Sequence, residues 1–508
     1  MRTWGPLTAV CLGTFMLLLD VTIVVVALPD MARALDASLS DLQWVVDGYA
    51  LALAALLLGV GAAADVVGRR RVHVVGVVLF AVASLLCGLA SGPGTLVAAR
   101  ALQGVGAAAM FATTLPLLGS VYQGRQRSVA LGVWGAVSGG AAAVGPVLGG
   151  VLTDGPGWRW IFFVNLPVSL AAVWLTLRRV PESRGRQGAA APSAGRSRAW
   201  ERVDRAGTVA FACFAGAVTY GVVRAGEEGW TSAGAVAAFV LAALALGAFV
   251  AVERRAAHPL LDLSLLRRPA FVGVLVGAFA FSGTAFGVTP YLSIWLQTVQ
   301  GMSPVRGGLV LLPVTGAAMV VAVLGGRLLH GAPARWTIGG GLLLVGAGAC
   351  GQAVLDAGAD WTALVPGLVL VGIGTGLLSP AIAGAALAAV PQERAGMAGG
   401  AVNTARQLGY ALGVAVFGTV LTSRMRESLP GDAAHTLAGG GAGALRGAFS
   451  EHALRAAFAS GLNAASVTAG VTAAVAGALV LVSVRSPRAA QVVARGHAPA
   501  EEVAVPRD

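Results

Sequence analysis

The sequence contains no lysine; all 35 of its basic residues are arginine. Without lysine, no Walker A loop can reach the β- and γ-phosphates of a nucleotide. Pyridoxal and other Schiff-base chemistry have no amine to use either. Arginine in place of lysine throughout points to a GC-rich genome. Charge of both signs is scarce, 11% of residues against roughly 25% in soluble domains. Hydrophobic residues make up 56% of the chain and the mean hydropathy is +0.79. So little charge cannot cover a soluble protein of 508 residues. The four cysteines (Cys11, Cys87, Cys213 and Cys350) all fall in apolar stretches, without metal-ligand or disulfide spacing. They read as small packing residues. The six histidines form neither an HExxH motif nor a triad pattern. No cofactor, metal site or enzymatic centre is expected. Aromatic residues are only 6%, whereas glycine numbers 72. Small residues let helices approach closely in lipid, where the hydrophobic effect no longer drives packing.

What is present is a series of long apolar runs. A helix needs about 20 mostly apolar residues to cross the hydrocarbon. Fourteen stretches qualify: 8–29, 43–64, 73–91, 95–119, 128–152, 161–178, 206–223, 232–252, 270–298, 304–328, 336–355, 361–386, 397–422 and 463–484. The first is too long for a signal-peptide core, carries Asp20 and is followed by further spans, so it is expected to be retained. Gly372-Ile-Gly-Thr-Gly376 looks like a phosphate loop but lies inside an apolar run, where helix packing is the better reading.

The net charge of +12 does not indicate a nucleic-acid partner, because the arginines are dispersed over short loops between runs. With both termini cytoplasmic, one side receives most of them, including Arg69-Arg70-Arg71, the series from Arg178 to Arg202, Arg254-Arg255 and Arg267-Arg268. That bias places the chain in a bacterial inner membrane with a cytoplasmic arginine-rich face. The glycine-rich stretch Gly439 to Gly443 in the longest outer loop is expected to be mobile.

Ionisable groups within a bilayer are costly and are functional candidates. Asp20, Arg100 and Arg406 fall well inside predicted spans. Asp20 lies about nine residues before the outer end of its run, and Arg100 a few residues into its own, so both come to similar depth. They are expected to form a charge pair or shared polar site facing a cavity. Desolvation favours a neutral carboxyl and a nearby arginine favours the carboxylate, so such an aspartate can load and release a proton. The alternative is a fixed structural salt bridge. Arg406 sits beside Asn403 and Gln407, either lining the cavity or orienting helix ends. Asp47 is expected to be solvated near the outer end of the second span.

Several motifs, in order along the chain, resemble the major facilitator superfamily and, within it, the fourteen-span drug:proton antiporter family of the EmrB/QacA type. LDVTIVVVALP (Leu19 to Pro29) is similar to the first-helix signature, with Val25 where asparagine is common. GAAADVVGRRR resembles the loop between the second and third helices. Gly61, Asp65, Gly68, Arg69 and Arg70 fit that pattern, and Val66 departs from it. In the family this loop latches the cytoplasmic side. RALQGVGAA (Arg100 to Ala108) resembles the motif whose arginine serves proton transfer. GPVLGG (Gly145, Pro146, Gly149 and Gly150) resembles the antiporter motif, which implies export. WRWIFFVNLP (Trp158 to Pro167), the E-x5-P-L-L-x-L series from Glu253, YLSIWLQTVQGMSP from Tyr291 and PQERAGMAGGAVNTARQLGYALG from Pro391 resemble markers of the fourteen-span branch.

The resemblance implies an all-α integral membrane fold: an N-terminal six-helix bundle (1–178), a cytoplasmic linker (179–205), two extra central helices (206–252), an amphipathic connector (253–269), a C-terminal six-helix bundle (270–484) and a disordered tail (485–508). It also implies proton-coupled efflux of hydrophobic or amphipathic small molecules by alternating access, with Asp20 and Arg100 carrying the coupling. Gln103, Tyr291, Trp295, Gln297, Asn403, Arg406 and Gln407 are cavity candidates, and Trp295 is also a candidate for the interfacial aromatic belt. A proton-coupled symporter or importer on the same scaffold is the rival reading, and a non-transporting membrane receptor a more distant one. Protons, lipid and a small molecule are the expected partners, and a monomer is the default state.

Overall fold

Apolar residues cover most faces of the chain's helical stretches, so each helix must be surrounded by lipid or by other helices. A computed structural model describes residues 4–122, 124–184, 204–256, 259–328, 333–388, 390 and 395–484. Among them there is no strand. Five long helices come first: α1 (Gly5–Leu35), α2 (Leu39–Val67), α3 (Arg69–Gly88), α4 (Pro93–Val121) and α5 (Gly124–Asp154). A short turn, α6 (Trp160–Phe163), leads into α7 (Asn165–Arg179). Then follow α8 (Arg205–Glu228), α9 (Ala233–Arg255), α10 (Pro269–Phe286), α11 (Thr289–Ile294), α12 (Pro304–Val310), α13 (Leu312–Leu328), α14 (Ala334–Gly351), α15 (Val365–Ala388) and α16 (Ala395–Met425). Two short helices, α17 (Ala433–Ala438) and α18 (Ala442–Leu445), precede α19 (Glu451–Ser483). Eleven helices among the described residues are long and apolar enough to cross a membrane.

Helices α1 to α7 form one bundle, with α4 packed between α2 and α3 and α1 against α5 and α7. Helices α10 to α16 and α19 form a second, in which α14 lies between α15 and α19. Small residues set the spacing. A Cβ at Gly346 would stand 2.8 Å from the carbonyl oxygen of Gly470, and one at Gly374 would stand 2.6 Å from that of Gly341. The Gly372-to-Gly376 stretch therefore packs helices, as its apolar setting implies. The bundles meet along two seams, α2 against α16 and α5 against α12 and α13. The α8–α9 pair covers the first seam, since α8 packs on both α2 and α16.

Several elements differ from the sequence expectation. The run 270–298 is broken: α10 ends at Phe286, and α11 passes into a π turn at Trp295–Val299. The run 304–328 is interrupted at Leu311 between α12 and α13. The last helix begins at Glu451, well before residue 463, because Ser450 caps it by accepting from the Ala453 amide. Within the 253–269 connector a short turn forms at Leu263–Arg267, with Leu265 buried against Phe271. The glycine stretch 439–443 is folded between α17 and α18, whose Ala434, Leu437, Ala438 and Ala442 belong to the main core. Cys11 and Cys87 are buried, whereas Cys213 and Cys350 lie at the protein's outer surface. Most of the 179–205 linker, Pro391 to Arg394 and the tail beyond 484 lie outside the described residues.

Candidate functional site

The charges that the sequence places in the membrane meet inside the first bundle. The Gly92 amide donates to Thr95 Oγ1 at the start of α4, with Pro93 at its first position, so Arg100 sits two turns in. Arg100 and Gln103 are three residues apart and share one face of α4. The α6–α7 break leaves Asn165 at the start of α7, turned into the bundle.

Arg100 Nη1 donates to Asp20 Oδ2 and to Gln103 Oε1, both at 2.5 Å, and Nε donates to the Val45 carbonyl at 3.0 Å. Asp20 Oδ1 accepts from Gln103 Nε2 at 2.8 Å and from Asn165 Nδ2 at 3.1 Å. The same two amides donate to Ser84 Oγ at 2.9 and 3.3 Å. The guanidinium lies 4.3 Å from the centre of the Tyr49 ring, a cation–π contact. Asp20 is 0% and Arg100 2% exposed, so the pair is enclosed by helices α1 to α4 and α7 rather than open to a cavity. A buried ion pair offsets its desolvation only when further hydrogen bonds satisfy it, and here Val45 of α2, Gln103 of α4 and Asn165 of α7 supply them. Chemically the arrangement is a carboxylate whose protonation would remove the charged partner of Arg100 while leaving that arginine its bonds to Val45 and Gln103.

The loop between α2 and α3 closes a second cluster. Gly68 has φ +126°, a left-handed region that favours glycine, and the Glu182 carboxylate fills the space a Cβ would take. The Arg70 amide donates to Glu182 Oε1 at 3.0 Å, and the Arg69 amide to the Ser183 carbonyl at 2.9 Å. Arg70 Nη1 donates to the Val180 carbonyl at 3.2 Å. This loop therefore holds the chain leaving α7. Gly61 is half-buried on α2, and the side chain of Asp65 lies outside the described residues.

The remaining candidates gather at the seams. Gln43 Nε2 donates across the bundles to the Tyr291 hydroxyl at 2.8 Å, which donates to the Val414 carbonyl at 2.5 Å. Gln297 Nε2 donates to the Val26 carbonyl of the other bundle at 2.7 Å. Thr404 Oγ1 donates to the Ala54 carbonyl at 3.3 Å. Gly145 and Gly149 face Thr22 and Ile23 of α1, while Pro146 and Gly150 face Gly308 and Val305 of α12. The GPVLGG stretch thus lies between α1 and the second bundle. Most of these cross-bundle contacts lie toward the end opposite the termini.

Trp295 is 1% exposed and packs in the core, so it is not an interfacial belt residue. Arg406 is half-buried, its guanidinium 5.2 Å from the Phe281 ring and its Nε 3.4 Å from Ser282 Oγ. Asn403 and Gln407 are half-buried on the same helix. Gln103 belongs to the Asp20 network. Asp47, expected in solvent, is 0% exposed. Sequence reasoning also passed over Asn165, Ser84, Tyr49 and Gln43. The available signal was a polar side chain within an apolar run, and Asn165 stood in a quoted motif.

The model of the Major Facilitator Superfamily matches residues 10–414. Multidrug resistance protein Stp of Mycobacterium tuberculosis is 36% identical over 424 residues, covering 83% of this chain and 76% of that protein. Puromycin resistance protein pur8 of Streptomyces alboniger is 39% identical over 431 residues, 83% and 82% of the two chains. The tetracenomycin C resistance and export protein of Streptomyces glaucescens is 36% identical over 440 residues, 84% and 78%. Among solved structures, a bacterial homologue of the human lysosomal transporter Spinster aligns with a TM-score of 0.64 at 18% identity, over 96% of this chain and 99% of that one. That likeness concerns the fold alone.

Proposed function

Because the chain belongs to the Major Facilitator Superfamily, we propose that it exports hydrophobic or amphipathic small molecules, antibiotics among them, in exchange for protons. Its family and relatives are transporters, and the relatives are named for drug resistance and export. Efflux is therefore favoured over the importer reading. Alternating access comes from rocking the two bundles along their seams, with the substrate held between them.

The observation that carries proton coupling is the buried Asp20–Arg100 pair with its amide cradle. Antiport requires proton and substrate to favour different states. Protonating Asp20 frees Arg100 from its carboxylate, and a change on that scale can repack the first bundle. The membrane potential contributes about 2.3 kcal/mol per elementary charge per 100 mV. The loop at Gly68 to Arg70 and the GPVLGG helix serve the rocking motion as latch and hinge. Tyr291, Gln297, Asn403, Arg406 and Gln407 line the route as the bundles part.

Three helices beyond the eleven apolar spans, α2, α5 and α14, are 29, 31 and 18 residues long. They support a count of fourteen crossings and, with the ordered motifs, the EmrB/QacA branch. The arginine distribution supports an inner-membrane protein with both termini cytoplasmic, acting as a monomer. The test is transport in inverted vesicles: puromycin and ethidium should accumulate against their gradients, and a protonophore should abolish it. Accumulation that survives the protonophore would remove proton coupling.

A further inference from the structure

Helix α2 carries a second buried acid whose surroundings differ from those of Asp20. Asp47 is 0% exposed, and neither of its carboxylate oxygens has a hydrogen-bond partner among the described residues. Asp20, by contrast, has three donors. One turn before Asp47, Gln43 reaches across the seam to Tyr291; two turns after it, Ala54 accepts from Thr404 of α16. Residues at this spacing share a helix face, so Asp47 lies on the face that α2 presents to the second bundle. Its electrostatic neighbours there are Tyr291 and Tyr410.

An ionised carboxylate without donors in such a place is strongly disfavoured. The neighbouring charges do not relieve it. Arg100 of α4 is turned to Asp20 and Val45. On α8, Arg224 is paired with Glu228. His435 of α17 lines the cleft at the mouth of the seam beside Gln43. Asp41 is engaged in the Ser38 cap at the start of α2.

We propose that Asp47 is a second proton-binding site, and that its proton keeps the α2–α16 seam shut at the end opposite the termini. The inference rests on the alternating-access reading above. With the seam closed, Asp47 is neutral; when the bundles part, water reaches the carboxyl and it ionises. The closed state is therefore favoured at low pH and is lost as pH rises. Proton release from Asp47 is tied to opening itself, apart from the exchange at Asp20.

The test uses the full chain reconstituted in lipid, first without substrate and then with puromycin added. Infrared difference spectra at neutral pH should show a protonated-carboxyl C=O band that Asp47→Asn removes, Asp20→Asn retains and Asp47→Glu displaces. Spin labels at Ala34→Cys and Val354→Cys, with Cys213 and Cys350 replaced by serine, should move apart as pH rises. Asp47→Asn should hold them close at every pH, and Asp47→Glu should restore the titration. A band that survives Asp47→Asn, or pH-dependent separation unchanged in that variant, would overturn the proposal. If neither pH nor added puromycin moves the labels in any variant, alternating access itself fails, and the infrared band alone decides whether Asp47 holds a proton.

Discussion

Asn165, the first residue of α7, donates to the same oxygen of Asp20 that Gln103 holds from α4. The carboxylate is thus fixed from two helices before Arg100 is counted. Hydrogen bonds to a charged group contribute about 1.5–3 kcal/mol each. Replacing Asn165 with leucine should cost about that much in thermal stability and weaken proton-coupled export, with Asn165→Gln recovering part of it. Unfolding curves in lipid or detergent, read beside vesicle transport, check both. A leucine variant with wild-type coupling would show that Asp20 does not need the α7 amide.

Arg100 uses the geometry of its guanidinium as well as its charge. One nitrogen bridges Asp20 and Gln103, another reaches Val45, and the plane faces Tyr49. Lysine offers a point charge without that fork. Arg100→Lys should therefore reduce uphill transport by about tenfold or more, equivalent to about 1.4 kcal/mol, although the charge is retained. Equal rates in the two proteins would favour a simple structural ion pair.

Two glycines of α5 predict opposite outcomes. A Cβ at Gly145 would collide with the Thr22 side chain on α1, whereas one at Gly140 meets nothing within 4 Å. Gly145→Ala should impair transport and stability, at a cost of about 1–3 kcal/mol for overpacking. Gly140→Ala should be neutral or slightly stabilising, since alanine is the better helix former. Parallel thermal-shift and transport assays make the comparison.

At Gly68, φ of +126° and the adjoining Glu182 carboxylate both oppose a side chain. Gly68→Ala should release the segment that follows α7, raising hydrogen exchange at Val180 and Ser183. Glu182→Gln should do so more mildly, because the Arg70 amide keeps an acceptor. Exchange unchanged in both variants would remove this contact from the latch.

Asp20, Arg100 and their depth were legible because a charge inside an apolar run has few places to go. Their enclosure was not, because it depends on Ser84, Tyr49 and Asn165 arriving from three other helices. Asp47 shows the other limit. The apolar run suggests a start at residue 43, but Ser38 caps a helix beginning at Leu39, which sets Asp47 eight residues, about two turns, inside it. The second bundle then covers it, and no local pattern reports that cover. The breaks in the 270–298 and 304–328 runs do not show in hydropathy, which is apolar on both sides, but Pro290 and Pro313 mark them, each the second residue of the helix that follows. Glycine near residue 440 read as looseness; the neighbouring Ala434, Leu437 and Ala438 instead fill a core shared with Leu39.

The central claim is that Asp20 exchanges a proton for drug, and its most direct test is proton movement during transport. Inverted vesicles holding a pH gradient, monitored with a pH-sensitive dye, should release protons when puromycin or ethidium is added. Vesicles with Asp20→Asn should give no release while still binding the compound. Undiminished release from the Asp20→Asn vesicles would contradict the account.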